Sequence, residues 1–119
     1  MPLPQVCKDR RVFSITEARS VLPIIQRLTE DAAGAAESLV GDIEKMSEDD
    51  PDFEASRQRL EKLVNGWSEK EKKLGCLAKG VWNVEFDNGH GYYAWSFPET
   101  DIDFYHSYDS TFDTRIRIC

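Results

Sequence analysis

The sequence predicts an α+β chain, a long antiparallel helical hairpin followed by a small antiparallel β-meander of three or four strands. Three observations predict it. Apolar residues recur at a seven-residue step from Ala18 to Met46 and again from Phe53 to Leu74. A short acidic, proline-bearing break separates the two runs. From Val81 the period drops to two, in segments rich in aromatic residues. A period near 3.5 keeps one stripe of a helix apolar, whereas a period of two sorts residues onto the faces of a strand.

The elements follow in order. Residues 1–11, with Pro2, Pro4, Lys8, Asp9, Arg10 and Arg11, read as an extended lead-in. Ser14 followed by Glu17 is a capping box, since hydroxyl and carboxylate can each satisfy a backbone amide at a helix start. Phe13 and Ala18 flank it as a small hydrophobic staple. The first helix then carries the row Ala18, Ile25, Ala32, Leu39 and Met46, with Val21 or Leu22, Leu28, Ala35 or Ala36, and Ile43 beside it. Ser47-Glu48-Asp49-Asp50 breaks the pattern, and Asp50 as N-cap with Pro51 at the first helical position opens the second helix. Its row is Phe53, Leu60, Trp67 and Leu74, and Gly75 ends it. The hairpin thus spans residues 14–75. So short a link makes the helices antiparallel. Folding about it pairs Ala32 with Trp67 and Leu39 with Leu60, and sets the largest side chain of the seam against an alanine. Pro23 removes a hydrogen bond and crowds the Arg19 carbonyl, which predicts a kink. The turns before it, with Ile15, Ala18, Val21 and Leu22, run past the second helix, and the sheet is what should cover them.

The sheet is expected over residues 80–119. Trp82, Val84 and Phe86 alternate with polar positions up to Asn88-Gly89, a tight-turn signal. Tyr93, Trp95 and Phe97 form the next row. A turn at Pro98-Glu99-Thr100-Asp101 then leads to Ile102, Phe104 and His106. Even-length loops at both turns would keep all three rows on one inward face. Asn83, Glu85, Ser96, Asp103 and Ser107 would then face water. Residues 116–118 are a candidate fourth strand. All 119 residues read as a single domain.

Composition narrows the function. A net charge of -7 and a pI near 4.8 argue against a nucleic-acid surface, which needs clustered lysine and arginine. The charge is uneven. Asp42, Glu44, Glu48, Asp49, Asp50, Asp52 and Glu54 stand against Lys45 alone, while Arg57, Arg59, Lys62, Lys70, Lys72, Lys73 and Lys79 make the following stretch basic. Such asymmetry either orients a partner or is a solvated face. No run approaches the ~20 apolar residues of a membrane helix. Cys7, Cys76 and Cys119 form no paired framework, which fits a reducing, cytoplasmic setting.

Chemistry has few candidates. His106 is expected inward near Asp109, where it could act as a general base or a ligand group. The alternative is a core histidine that fixes the end of a strand. With Arg115 and Glu99, and with Glu17 nearby, these residues could line a ligand-binding or hydrolytic pocket between the start of the first helix and the sheet. No metal site is expected, because His90 and His106 belong to different strand ends and the cysteines lack ligand spacing. No cysteine has an activating partner in view, and no cofactor motif is present.

The motifs Phe13-Ser14-Ile15-Thr16-Glu17-Ala18, Leu22-Pro23 and Gly91-Tyr92-Tyr93-Ala94-Trp95-Ser96-Phe97-Pro98-Glu99, then Phe104-Tyr105-His106-Ser107-Tyr108-Asp109 with Phe112 and Arg115, resemble a bacterial family, domain of unknown function 2203. The resemblance covers the chain from about Val12. It implies a helix opening, a long charged hairpin and a C-terminal aromatic block, and it brings no established activity. Where that family tends toward Gly-Arg in its tail, Asp113-Thr114-Arg115 stands here. The functional expectation is a non-catalytic interaction module that forms a homo-oligomer through the hairpin.

Overall fold

A computed structural model describes residues 11–118, so the lead-in expected over residues 1–11 lies almost wholly outside the described residues. Helix α1 runs Ile15–Glu44 and helix α2 runs Phe53–Lys73. Five strands follow: β1 Leu77–Ala78, β2 Asn83–Asp87, β3 Gly91–Ser96, β4 Phe104–Ser107 and β5 Ile116–Arg117, with a 3-10 turn at Phe112–Thr114. All neighbours pair antiparallel in the order β1-β2-β3-β4-β5, a plain meander.

The α+β class and the hairpin are as the sequence predicts, but the sheet has five strands rather than three or four. The extra one is β1, two residues that leave α2 and pair with Val84 and Glu85. Only two residues long, it carries no periodic signal.

The Ser14 capping box is present, with Ser14 Oγ accepting from the Glu17 amide at 3.0 Å and Glu17 Oε1 accepting from the Ser14 amide at 2.9 Å. These bonds hold the Glu17 carboxyl below its ordinary value. Helix α2 starts two residues later than expected. Asp50 Oδ1 accepts from the Asp52 amide at 2.8 Å, so Pro51 and Asp52 form a turn that delivers the chain to Phe53.

The core forms where the base of the hairpin meets one face of the sheet. Ala18, Leu22, Ile25, Ala32 and Trp67 pack with Phe13, Cys76, Val84, Phe86, Trp95 and Ile102. The early turns of α1 are covered by the sheet, as their lack of a helical partner demands. Arg19 Nη2 donates to the Ile102 carbonyl at 3.0 Å, and Phe13 meets Phe86 edge to face at 5.3 Å. Trp67 sits in the helical seam, in the same core cluster as Ala32. Its Nε1 donates to Thr29 Oγ1 at 2.9 Å, and its ring meets Trp82 edge-on at 4.9 Å.

One expectation fails, and it moves the site. Strands β2 and β3 pair Val84 with Trp95 and Phe86 with Tyr93, so these four share the helix-facing side. Strands β3 and β4, however, pair Tyr93 with Tyr105 and Tyr92 with His106. His106 and Phe104 therefore lie on the opposite face with Glu85, Asp87, Tyr92 and Ala94. The connection from β3 to β4 covers residues 97–103 and is odd in length. Its conformation is set by distant partners. Arg19 takes the Ile102 carbonyl and pairs with Asp101 at 3.2 Å, while the Ile118 amide takes the Asp103 carbonyl at 2.7 Å. Ile102 turns into the core, and the alternation restarts at Phe104 with its faces exchanged. Glu85, expected in water, is fully buried.

Candidate functional site

The second face of the sheet is not open to solvent, because the C-terminal segment folds over it. Arg115 anchors that segment. Its Nη1 and Nη2 donate to Glu99 Oε1 and Oε2 at 3.0 and 2.7 Å, and its guanidinium lies 4.4 Å from the Phe104 ring centre and 4.8 Å from that of Phe112. A planar fork satisfies both carboxylate oxygens while its faces stack on the rings. Glu99 Oε1 also accepts from the Ser96 amide at 2.9 Å, which ties the β3–β4 connection to the tail. Arg115→Ala should lower stability by about 1–2 kcal/mol in urea denaturation, a partly exposed pair being discounted for solvent. Arg115→Lys should restore less than half of that, since an ammonium keeps the charge and loses fork and stack.

Beneath the tail, Glu85 and His106 form a buried pair. Strand alternation puts Glu85 on this face, and the β3–β4 register brings His106 toward it across Tyr92. Gly91 lets β4 approach, since a side chain there would collide with the His106 carbonyl. His106 Nε2 lies 2.5 Å from Glu85 Oε2, and Nδ1 lies 2.9 Å from the Ser107 carbonyl oxygen. A carbonyl only accepts, so Nδ1 carries a hydrogen. Nε2 meets the Glu85 carboxyl oxygen across a short, buried contact. Both ring nitrogens are thereby engaged within the protein. Glu85 Oε1, equally buried, has no hydrogen-bond partner.

A cavity of about 440 Å³ adjoins this pair, walled by Tyr92, Tyr108, Phe112 and Asp113 along with Glu85 and His106. Tyr108 donates to Asp87 Oδ1 at 2.5 Å and meets Tyr92 edge to face at 5.2 Å. The His106 ring stands 5.4 Å from Tyr92 and 6.3 Å from Phe112.

Of the five residues expected at a pocket, His106 alone lines this one, and Glu17 is committed to the α1 capping box. Arg115 and Glu99 pair with each other beside it, and Asp109 is exposed and not among the described lining residues. The cavity also lies on the sheet face away from α1, not between α1 and the sheet. Reading the residues missed Glu85, Tyr92 and Phe112. The one signal for them was the alternation of Asn83, Glu85 and Asp87 with Val84 and Phe86, which marks a polar face but not whether it is buried. Among the described residues no cluster of three or more His, Cys, Asp or Glu side chains could hold a metal ion.

The hairpin carries a second feature. Between residues 37 and 63 the only buried residue is Ser56. Leu39, Ile43, Met46, Phe53, Leu60 and Leu63 are all half-buried, and Val40 is 38% exposed. An apolar groove of about 480 Å³, lined by Ala33, Ala36, Val40, Leu60, Val64 and Val81 among others, opens where the hairpin leaves the sheet. Among the described residues no helix is long and apolar enough to cross a membrane.

Neither a curated protein nor a solved structure significantly resembles the chain. A family model matches residues 11–118, from the residues just before the capping box to the last strand. The chain therefore belongs to the DUF2203 family of uncharacterized conserved proteins.

Proposed function

We propose that this protein is a non-catalytic interaction module that pairs with a second copy of itself through the distal half of the helical hairpin. The observation that carries the reading is the row of half-buried apolar side chains from Leu39 to Leu63, which two helices alone cannot cover. Charge argues for a second copy as the occupant. The tip around Asp42–Glu54 is acidic, and Lys70, Lys72 and Lys73 stand at the far end of α2, about 30 Å away along the helix. Two hairpins laid antiparallel bring each acidic tip onto the other's basic end. The twofold axis then falls near Leu60, beside the groove that holds Val40 and Val64. The pairing would be a short coiled-coil-like bundle forming a homodimer.

The non-catalytic part of the reading rests on His106, whose two nitrogens are both occupied within the fold. A cytoplasmic setting suits Cys76, a free thiol 1% exposed and pushed up to about 12 by burial and then by the nearby Glu71 carboxylate. The acidic net charge speaks against a nucleic-acid partner.

Sedimentation velocity tests the proposal. At low salt and micromolar concentration the protein should sediment at twice 13.7 kDa, and about 0.5 M salt should weaken the association by screening the tip contacts. Val40→Glu should yield a monomer with unchanged far-UV circular dichroism. A wild-type protein that stays monomeric at low salt overturns the reading.

A further inference from the structure

The groove that opens where the hairpin leaves the sheet has one wall that the hairpin does not supply. Val81, which is 57% exposed, and the half-buried Trp82 and Phe97 line it together with Val40, Leu60 and Val64 of the helices. The backbone fixes this corner. Gly80 and Trp82 both have positive φ, 71° and 65°, a conformation that strains a bulky residue. The Trp82 ring stands edge-on to Trp67 at 4.9 Å, and Val81 between the two strained positions is left facing solvent.

Positions along the hairpin say what can reach that corner. Val40 and Leu60 line the groove together and mark a common level. Trp67, which carries the Trp82 contact, lies seven residues from Leu60 toward the sheet, about 10 Å at the helical rise. Phe53 lies seven residues from Leu60 toward the tip, the same distance the other way. A twofold axis near Leu60 exchanges these levels, and sets the half-buried Phe53 and Met46 of one copy beside Val81 and Trp82 of the other. Charges obey the same symmetry. Glu37, on the groove, stands three residues from Val40 toward the sheet, and Arg57 stands three residues from Leu60 toward the tip, about 4.5 Å each. Both are exposed. Arg57 pairs with its own neighbour Glu54 at 2.9 Å, and Glu37 has no ion pair among the described residues. The exchange brings each Glu37 level with the other copy's Arg57, so the complementarity occurs twice in one pair.

We infer that the hairpin tip of each copy seats in the other's groove, against the sheet corner at Val81 and Trp82, with Glu37 and Arg57 setting the antiparallel register. This rests on the self-pairing proposed above and brings the sheet into the interface. Apolar contact at the corner holds the pair together. The rim charges choose its direction, because a parallel pairing sets Glu37 against Glu37 and Arg57 against Arg57.

Sedimentation equilibrium of the full-length protein and four variants, at low salt, tests the arrangement. Val81→Asp, with far-UV circular dichroism unchanged, should weaken association about tenfold or more, since seating the tip would bury a carboxylate against apolar side chains. Glu37→Arg and Arg57→Glu should each weaken it about threefold or more. The chain carrying both reversals should return to within about twofold of the wild type, because every cross-pair is again of opposite sign. If Val81→Asp does not fold, the charge reversals decide alone. A pairing that Val81→Asp leaves intact, or a doubly reversed chain no tighter than the single variants, overturns the inference, while dissociation by Val40→Glu would still uphold pairing through the hairpin. A wild-type monomer overturns both.

Discussion

Replacing Glu71 with glutamine is expected to raise stability at pH above about 7 while leaving it nearly unchanged below about 4.5. Glu71 lies on the inner side of α2, fully buried, and neither carboxylate oxygen has a hydrogen-bond partner. Burial raises its pKa from 4.5 to about 7, because the charged form is the one that loses most on leaving water. The folded protein thus holds this proton more tightly than the unfolded chain. Stability from this source is complete below about 4.5, falls as pH rises through the interval and is gone above about 7. The gap between the two values corresponds to roughly 3 kcal/mol. Glutamine removes the charge and keeps the shape, yet it still buries an unpaired amide. Methionine removes that as well. Above pH 7 the expected order is therefore Glu71→Met, then Glu71→Gln, then wild type, in urea denaturation followed by tryptophan fluorescence. The difference between variant and wild type at each pH is the quantity to read. A glutamine variant that tracks the wild type at every pH would refute the account.

Truncating Trp67 should be the more damaging change, at about 3–5 kcal/mol for Trp67→Ala. The indole is 2% exposed and joins three parts of the core. It packs in the seam at Ala32, meets Trp82 at the start of the sheet, and donates to Thr29 Oγ1. Thr29 Oγ1 in turn donates to the Ile25 carbonyl at 2.7 Å, so its hydrogen is committed and its lone pair is free to accept. Thr29→Val keeps the volume and strands the indole N–H, at about 1–3 kcal/mol. In a Trp67→Phe background, which has no N–H, the same threonine change should cost clearly less. A double-mutant cycle in chemical denaturation reads the difference as a coupling energy. Strict additivity would mean that the hydrogen bond contributes nothing beyond packing.

The candidate site was legible only in part. His106 could be singled out because a lone histidine in an aromatic strand is conspicuous. Its environment could not be read, since which face it occupies depends on whether an odd or even number of residues links β3 to β4. Pro98-Glu99-Thr100-Asp101 has turn chemistry and suggests a four-residue loop, but the connection runs to Asp103. Arg19, more than eighty residues upstream, holds the Ile102 carbonyl, and no local signal announces that contact. One exchanged face turned Glu85 from a solvent residue into a buried one and moved the pocket to the other side of the sheet. Arg115 and Glu99 were expected around His106, and they pair with each other instead.

Local chemistry and periodicity, then, determined the helices and the order of helices before strands. They also set Trp67 in the helical seam and marked the Asn88-Gly89 hairpin. These depend on neighbours within a few residues, where capping, turn geometry and side-chain period act directly. Tertiary structure alone decided the two-residue strand β1, the face that His106 shares with Glu85, the burial of Glu71 and the tail folded over the far side of the sheet. Each of these is settled by contacts between segments distant in sequence, whose free energy is gained only once the whole chain has closed upon itself.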